Sequence, residues 1–137
     1  MENLLKQINT HTSEYGNKVY DIYALRNYAE SLPVEIIPIE SLSEAVGPEY
    51  TYWLDQNGVM FGPSEILKDW EVAQSNPLWQ EHISKLKRVN IDTPIWLAPD
   101  GTVFDGVHRL TRAFIEGVKE IKVRKFKEIP ESAIVQT

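Results

Sequence analysis

The sequence predicts an α+β domain, a small mixed sheet with β-hairpins packed by three to four helices. Three observations predict it. Two pairs that tolerate positive φ, Asn57-Gly58 and Asp100-Gly101, each stand between short apolar runs, as tight hairpins require. Segments with apolar residues at three- and four-residue spacing alternate with short β-branched runs. A chain of 137 residues, 42% hydrophobic and 25% charged, is long enough to bury one core of its own.

Residues 1–17 hold only short apolar pieces among polar residues and read as an N-terminal arm of a single domain spanning 1–137. Val19, Ile22, Tyr23, Leu25, Ala29 and Leu32 predict an amphipathic helix that Pro33 ends. Val34–Ile39 reads as a strand, which Pro38 puts at an edge or at its own end. Glu40–Val46 suits one or two helical turns before Gly47-Pro48. Tyr50–Leu54 and Val59–Phe61 flank Asn57-Gly58 as a hairpin. Pro63 opens a helix to about Ala73, and Asn76-Pro77 opens another to about Arg88, as cap and first helical residue. Ile95–Ala98 and Thr102–Phe104 form the second hairpin, Asp105 stands where a helix cap would stand, and Gly117 supplies a left-handed stop. Ile121–Phe126 is a closing strand, and the rest is a tail. Trp53-Leu54, Asn57-Gly58 and Phe61 repeat as Trp96-Leu97, Asp100-Gly101 and Phe104, which we attribute to convergence of two hairpin–helix units.

Composition narrows the function. No stretch approaches the ~20 apolar residues of a membrane span, and the opening Met1-Glu2-Asn3 lacks the pattern of a secretory signal. Without cysteine there is no disulfide framework, thiolate metal site or cysteine nucleophile, and a cytoplasmic location is expected. The net charge of -6 argues against a free-standing duplex-DNA binder. The charge is uneven: residues 1–84 carry 4 basic and 13 acidic residues, net -9, and residues 85–137 carry 10 and 7, net +3. An anionic partner should therefore meet the second half.

The chemistry concentrates in Asp105-Gly106-Val107-His108-Arg109-Leu110-Thr111-Arg112. With Asp105 as cap, His108, Arg109 and Arg112 fall in the first two turns of a helix. That end already carries partial positive charge and unpaired N–H groups, so cations there oppose stability. Arg109 and Arg112 add a like-charge pair at i,i+3, and His108 and Arg112 another at i,i+4. A bound anion reverses the sign of each effect. Gly106 lets a phosphate approach the backbone, and Arg109 offers a bidentate fork. The competing reading is an ordinary capped helix with solvated arginines.

Strand, Asp-Gly hairpin, strand, then Asp-Gly-x-His-Arg at a helix start and a basic closing strand resemble the ParB/sulfiredoxin superfamily over Pro94–Phe126. Val34–Ile39 with Glu40-Ser41-Leu42 resembles that family's opening strand. Together the two matches cover about a third of the chain, and residues 50–90 match nothing in the family. The resemblance implies a pocket for ATP, ADP or CTP, with phosphate on Gly106, Val107, His108 and Arg109, and with Arg112 nearby. It implies that Asp105 orients the loop or holds Mg²⁺, and that a carboxylate after the first strand (Glu40, Glu44 or Glu49) acts as catalytic base beside His108. Phosphoryl transfer or hydrolysis would need Mg²⁺ to bridge phosphate oxygens. Val107 stands where sulfiredoxins need cysteine, which excludes their repair reaction. The helix-turn-helix and dimer domains of partition proteins are not in this sequence, so a stand-alone module is expected, a kind found in phages and bacteria.

Other constellations are weaker. His11, His82 and His108 are the only histidines, none pairs with another at ligand spacing, and His82 reads as solvent-facing. There is no Gly-x-Ser-x-Gly elbow and no Gly-x-x-x-x-Gly-Lys phosphate loop. Tyr50, Tyr52, Trp53, Trp70, Trp79 and Trp96 read as core rather than base-stacking residues. Lys119, Lys122, Arg124, Lys125 and Lys127 fit a charged edge strand at least as well as a nucleic-acid stripe. Lys85, Lys87 and Arg88 suit a helix C-terminus. Two alternatives to the nucleotide site remain: a non-catalytic interaction module that docks a partner on its acidic half, and a nuclease or single-strand nucleic-acid binder.

Overall fold

The computed structural model describes residues 12–15, 18–130 and 134–136. It is a mixed α+β fold. Strands β1 (Thr12–Tyr15) and β2 (Lys18–Asp21) form an antiparallel hairpin, and β2 also pairs with β9 (Ile134–Gln136). Part of the expected arm is therefore strand, while residues 1–11 and 16–17 lie outside the described residues. The expected tail likewise closes a three-stranded sheet of order β1-β2-β9. Helix α1 starts at Ile22, later than the apolar spacing suggests, because Asp21 caps it by accepting from the Tyr23 N–H at 2.8 Å. It ends at Glu30, ahead of Pro33.

The central sheet has four strands in the order β3-β8-β6-β7 and is mixed. Strand β3 (Glu35–Pro38) is its edge, antiparallel to β8 (Glu120–Lys125). Strand β8 runs parallel to β6 (Ile95–Leu97), which pairs antiparallel with β7 (Val103–Asp105). The basic strand β8 is thus interior, not the expected edge. Its alternation puts Ile121 and Val123 into the core. Arg124 is consumed structurally: its Nη1 donates to the carbonyls of Ala29 (3.2 Å) and Leu32 at the end of α1. Lys125 pairs with Glu35 at 3.5 Å.

Each face of this sheet is covered. On one side Leu25, Ala29 and Leu32 pack on Trp96, Phe104 and Phe126. On the other, the 3₁₀ helix Ile39–Val46 and helix α5 (Val107–Glu116) contribute Ile39, Leu42, Val46, Leu110 and Ala113 against Ile95, Leu97, Ile121 and Val123. The period-2 alternation of each strand and the helical stripe of α5 together explain this layering.

Residues 50–90 build a third cluster. Hairpin β4 (Trp53–Leu54) and β5 (Met60–Phe61) turns at Gly58 (φ 76°), where the Asp55 carboxylate accepts the N–H groups of Asn57 (2.8 Å) and Val59 (3.0 Å). The single helix expected from Pro63 is two, α2 (Pro63–Leu67) and α3 (Trp70–Ala73), because Asp69 leaves helical geometry to cap the second. Helix α4 (Gln80–Arg88) begins three residues beyond Pro77, since Asn76 uses its side chain on the Leu78 N–H at 2.9 Å to make a turn. There are accordingly five α-helices and one 3₁₀ helix among the described residues, more than expected. Trp53, Phe61, Ile66, Ala73, Ile83 and Leu86 form the core of this unit, with Val107 and Ile115 of α5 packed against it. Helix α5 is therefore wedged between two cores, which fixes the direction of its N-terminal end.

Candidate functional site

The second hairpin delivers the chain to that end. Gly101 turns at φ 88°, and Asp100 accepts from Thr102 through both N–H (3.0 Å) and Oγ1 (2.7 Å). Strand β7 then carries Asp105, paired with Trp96, as its last residue. Asp105 is held in the ladder and is not the helix cap expected from sequence. The cap is Gly106, at φ 110° and ψ 26°, with no side-chain cap hydrogen bond. Only glycine suits the position: the backbone is left-handed, and a Cβ would lie 3.2 Å from both Arg109 Nη1 and Ile95 Cγ1. The Leu110 N–H bonds the Gly106 carbonyl at 2.9 Å. The N–H groups of Val107, His108 and Arg109 precede it in the first turn, where an α-helix supplies no internal acceptor.

A cavity of about 330 Å³ opens at this end, lined by the run Asp105–Arg109 with Val89 and Phe104. The predicted residues Asp105, Gly106, Val107, His108 and Arg109 thus converge. The others do not join them. Arg112 turns along the helix to Glu116, donating from Nε at 2.8 Å and also from Nη2 to Oε1. Glu40, Glu44 and Glu49 are exposed on or after the 3₁₀ helix, and none lines the cavity.

Arg109 has a structural task as well. Its Nε donates to the Asn90 carbonyl at 3.1 Å and its Nη1 to the Pro94 carbonyl at 3.2 Å, so it clamps the loop between α4 and β6. Burial lowers its pKa, while Asp105 opposes that shift; the group stays cationic. Burial raises the pKa of Asp105, against the pull of Arg109 and Arg26. Asp105 is the one carboxylate lining the cavity, and no group of three His, Asp or Glu suited to a metal occurs among the described residues. This donor set fits only a cation held largely by ligand phosphate and water, which is how Mg²⁺ is commonly bound.

The histidines are arranged otherwise than the sequence suggests. His82 of α4 is half-buried, and its Nδ1 lies 3.0 Å from Nε2 of His108. Its Nε2 lies 3.2 Å from the Leu54 carbonyl oxygen. The two rings are parallel within 7° with centroids 5.3 Å apart. That separation exceeds the nitrogen distance by about the sum of the two ring radii, so the rings lie edge to edge in one plane. Trp53 lies beneath both, 5.1 Å from His82 and 4.5 Å from His108, tilted 18° and 16°. Burial, followed by His82 and Lys85, pushes His108's pKa down to about 3. Burial also lowers that of His82, with Lys85 acting the same way and the Leu54 carbonyl and Glu81 opposing.

The pairing of His82 with His108 and the role of Trp53 are missing from the sequence reading. The partners are 26 residues apart, and only the packing of α4 on α5 brings them together. The available signal was the aromatic-rich Tyr50–Trp53 run preceding a helix that carries a histidine on its apolar side. Among the described residues no helix is long and apolar enough to cross a membrane. Comparison with family models, with curated proteins and with solved structures finds no match for this chain.

Proposed function

We propose that the cavity at the head of α5 binds the phosphate of a nucleotide or a small phosphorylated metabolite, in the manner of ParB/sulfiredoxin-type modules. One observation carries this reading: a left-handed glycine heads α5 without a side-chain cap, and the helix end opens on a cavity edged by a guanidinium. Such an end presents N–H groups and the positive pole of the helix together. Its volume sits near the lower end of the roughly 300–1,000 Å³ range of small-molecule sites. In this reading the amides of the first turn hold phosphate oxygens. Arg109 adds charge from the donors not committed to Asn90 and Pro94. Asp105 holds Mg²⁺ when the ligand brings one. The Mg²⁺ would supply charge neutralisation for phosphoryl transfer or hydrolysis.

The test is thermal unfolding with millimolar ATP, ADP, CTP, GTP and inorganic phosphate, each with and without Mg²⁺. A ligand at ~100 times its dissociation constant adds ~2.7 kcal/mol, a shift of several degrees for a chain of this size. We expect a shift for at least one phosphate ligand, followed by a phosphate-release assay for turnover. No shift with any of them would remove the reading and leave the helix end as a structural joint.

A further inference from the structure

The proton each imidazole carries follows from its partners. The Leu54 carbonyl only accepts, so Nε2 of His82 donates to it. In the neutral ring Nδ1 of His82 is then the acceptor, and Nε2–H of His108 donates to it. His108 is left with an unprotonated Nδ1. That atom has no hydrogen-bond partner among the described residues, and no buried side-chain nitrogen or oxygen there lacks one. It belongs to a residue that is partly exposed and lines the cavity. Both pKa values are shifted toward the neutral ring, and the charged groups acting on the pair are Lys85 and Glu81 of α4. Trp53 lies beneath both rings, and Phe61 meets His82 edge-on.

We propose that His108 Nδ1 accepts a hydrogen bond from an O–H of the phosphate bound in the cavity, so that the site selects oxyanions that carry a proton over those that carry none. His82 is the positioning residue that fixes the accepting tautomer. The inference deepens the phosphate-binding reading and rests on it. A lone pair facing a bare oxyanion oxygen repels it and leaves neither atom a donor, whereas a phosphate O–H satisfies both. Inorganic phosphate keeps at least one O–H near neutral pH, and sulfate has none. The terminal phosphate of a monoester gains its O–H as pH falls toward about 6, its second pKa, so its affinity should rise in that direction.

The experiment titrates the full chain with sodium phosphate and, separately, sodium sulfate at matched ionic strength and pH 7.5. Wild type is compared with His82→Phe, which keeps an aromatic ring against Trp53 and removes the acceptor. Wild type should prefer phosphate by about tenfold or more, equivalent to ~1.4 kcal/mol. In His82→Phe the buried Nε2 of His108 has no acceptor, the proton moves to Nδ1, and the preference should collapse. Equal binding of both ions to wild type would overturn this inference and leave phosphate binding intact. Binding of neither ion would overturn both. An unchanged preference in His82→Phe would overturn the positioning role. Imidazole ¹⁵N spectra of the free wild-type protein give a check that needs no variant: Nε2–H is expected on both rings, and a proton on His108 Nδ1 would contradict the proposal.

Discussion

The indole of Trp53 lies 4.5 Å from the imidazole of His108, their planes 16° apart, and the same indole underlies His82. A buried residue of a short hairpin thus forms the floor of the imidazole pair, and the pair in turn joins that hairpin to the head of α5. Trp53→Ala should destabilise the protein by about 3–5 kcal/mol through lost burial and a cavity. It should also admit water to the rings and move His108's pKa up toward its ordinary value. Urea unfolding measures the first effect and imidazole NMR titration the second.

Gly106 and Gly117 bracket α5, both with positive φ, but only one is crowded. A Cβ at Gly117 (φ 72°) meets nothing within 4 Å, while at Gly106 it meets Arg109 and Ile95. Gly117→Ala should cost about 1 kcal/mol, the left-handed penalty alone. Gly106→Ala should cost clearly more, because the clamp of Arg109 must shift too. Parallel denaturant titrations of the two variants test the difference.

Arg109→Lys removes a fork that two backbone carbonyls share. Hydrogen bonds to a charged group contribute about 1.5–3 kcal/mol, and lysine recovers at most part of that. The expected result is faster amide exchange in the loop from Asn90 to Pro94 and a stability loss of about 1–2 kcal/mol. Unchanged exchange in that loop would count against the clamp.

Stability should fall on mild acidification. In the unfolded chain both imidazoles take up protons as pH drops below about 6.5, whereas in the fold His108 resists until about 3. The unfolded state then binds more protons, so stability is present above that unfolded value and is lost below it, by no more than ~1.4 kcal/mol per pH unit for His108. Asp105 acts oppositely: its raised pKa lets the fold take up a proton first as pH falls. Tm should therefore decline from pH 6.5 to 4.5, and more steeply in Asp105→Asn. A flat profile in wild type would contradict a neutral buried pair.

What the sequence made legible follows from local rules. Asn57-Gly58 and Asp100-Gly101 read as turns because few residues adopt positive φ, and both are turns. Gly117 ends α5 for the same reason. The strand β3 was readable from its β-branched, partly alternating run, and β8 was placed as the closing strand. Errors arose where a second use of a residue decided the outcome. Asp105 looked like a cap, but pairing with Trp96 holds it in the sheet and passes the cap to Gly106. Val19–Asp21 fitted a helical spacing and became strand because β1 and β9 pair with that segment. Asp69 stood in plain view as a cap that divides one helix into two. The convergence of Asp105–Arg109 was local and legible, whereas the imidazole pair depends on α4 meeting α5 and was not.

The phosphate site itself is tested most directly by amide-resolved NMR titration with inorganic phosphate, on wild type and on Val107→Glu. Glutamate in the first turn suits the helix dipole by about 0.3–1 kcal/mol, which offsets part of the packing Val107 loses against the Trp53 cluster; urea unfolding checks that the variant folds, and its charge repels an anion. Saturable shifts are expected to be largest at the amides of Val107, His108 and Arg109 in wild type and to be lost in Val107→Glu. Shifts absent from that turn, or concentrated instead along Lys119–Lys127, would contradict it.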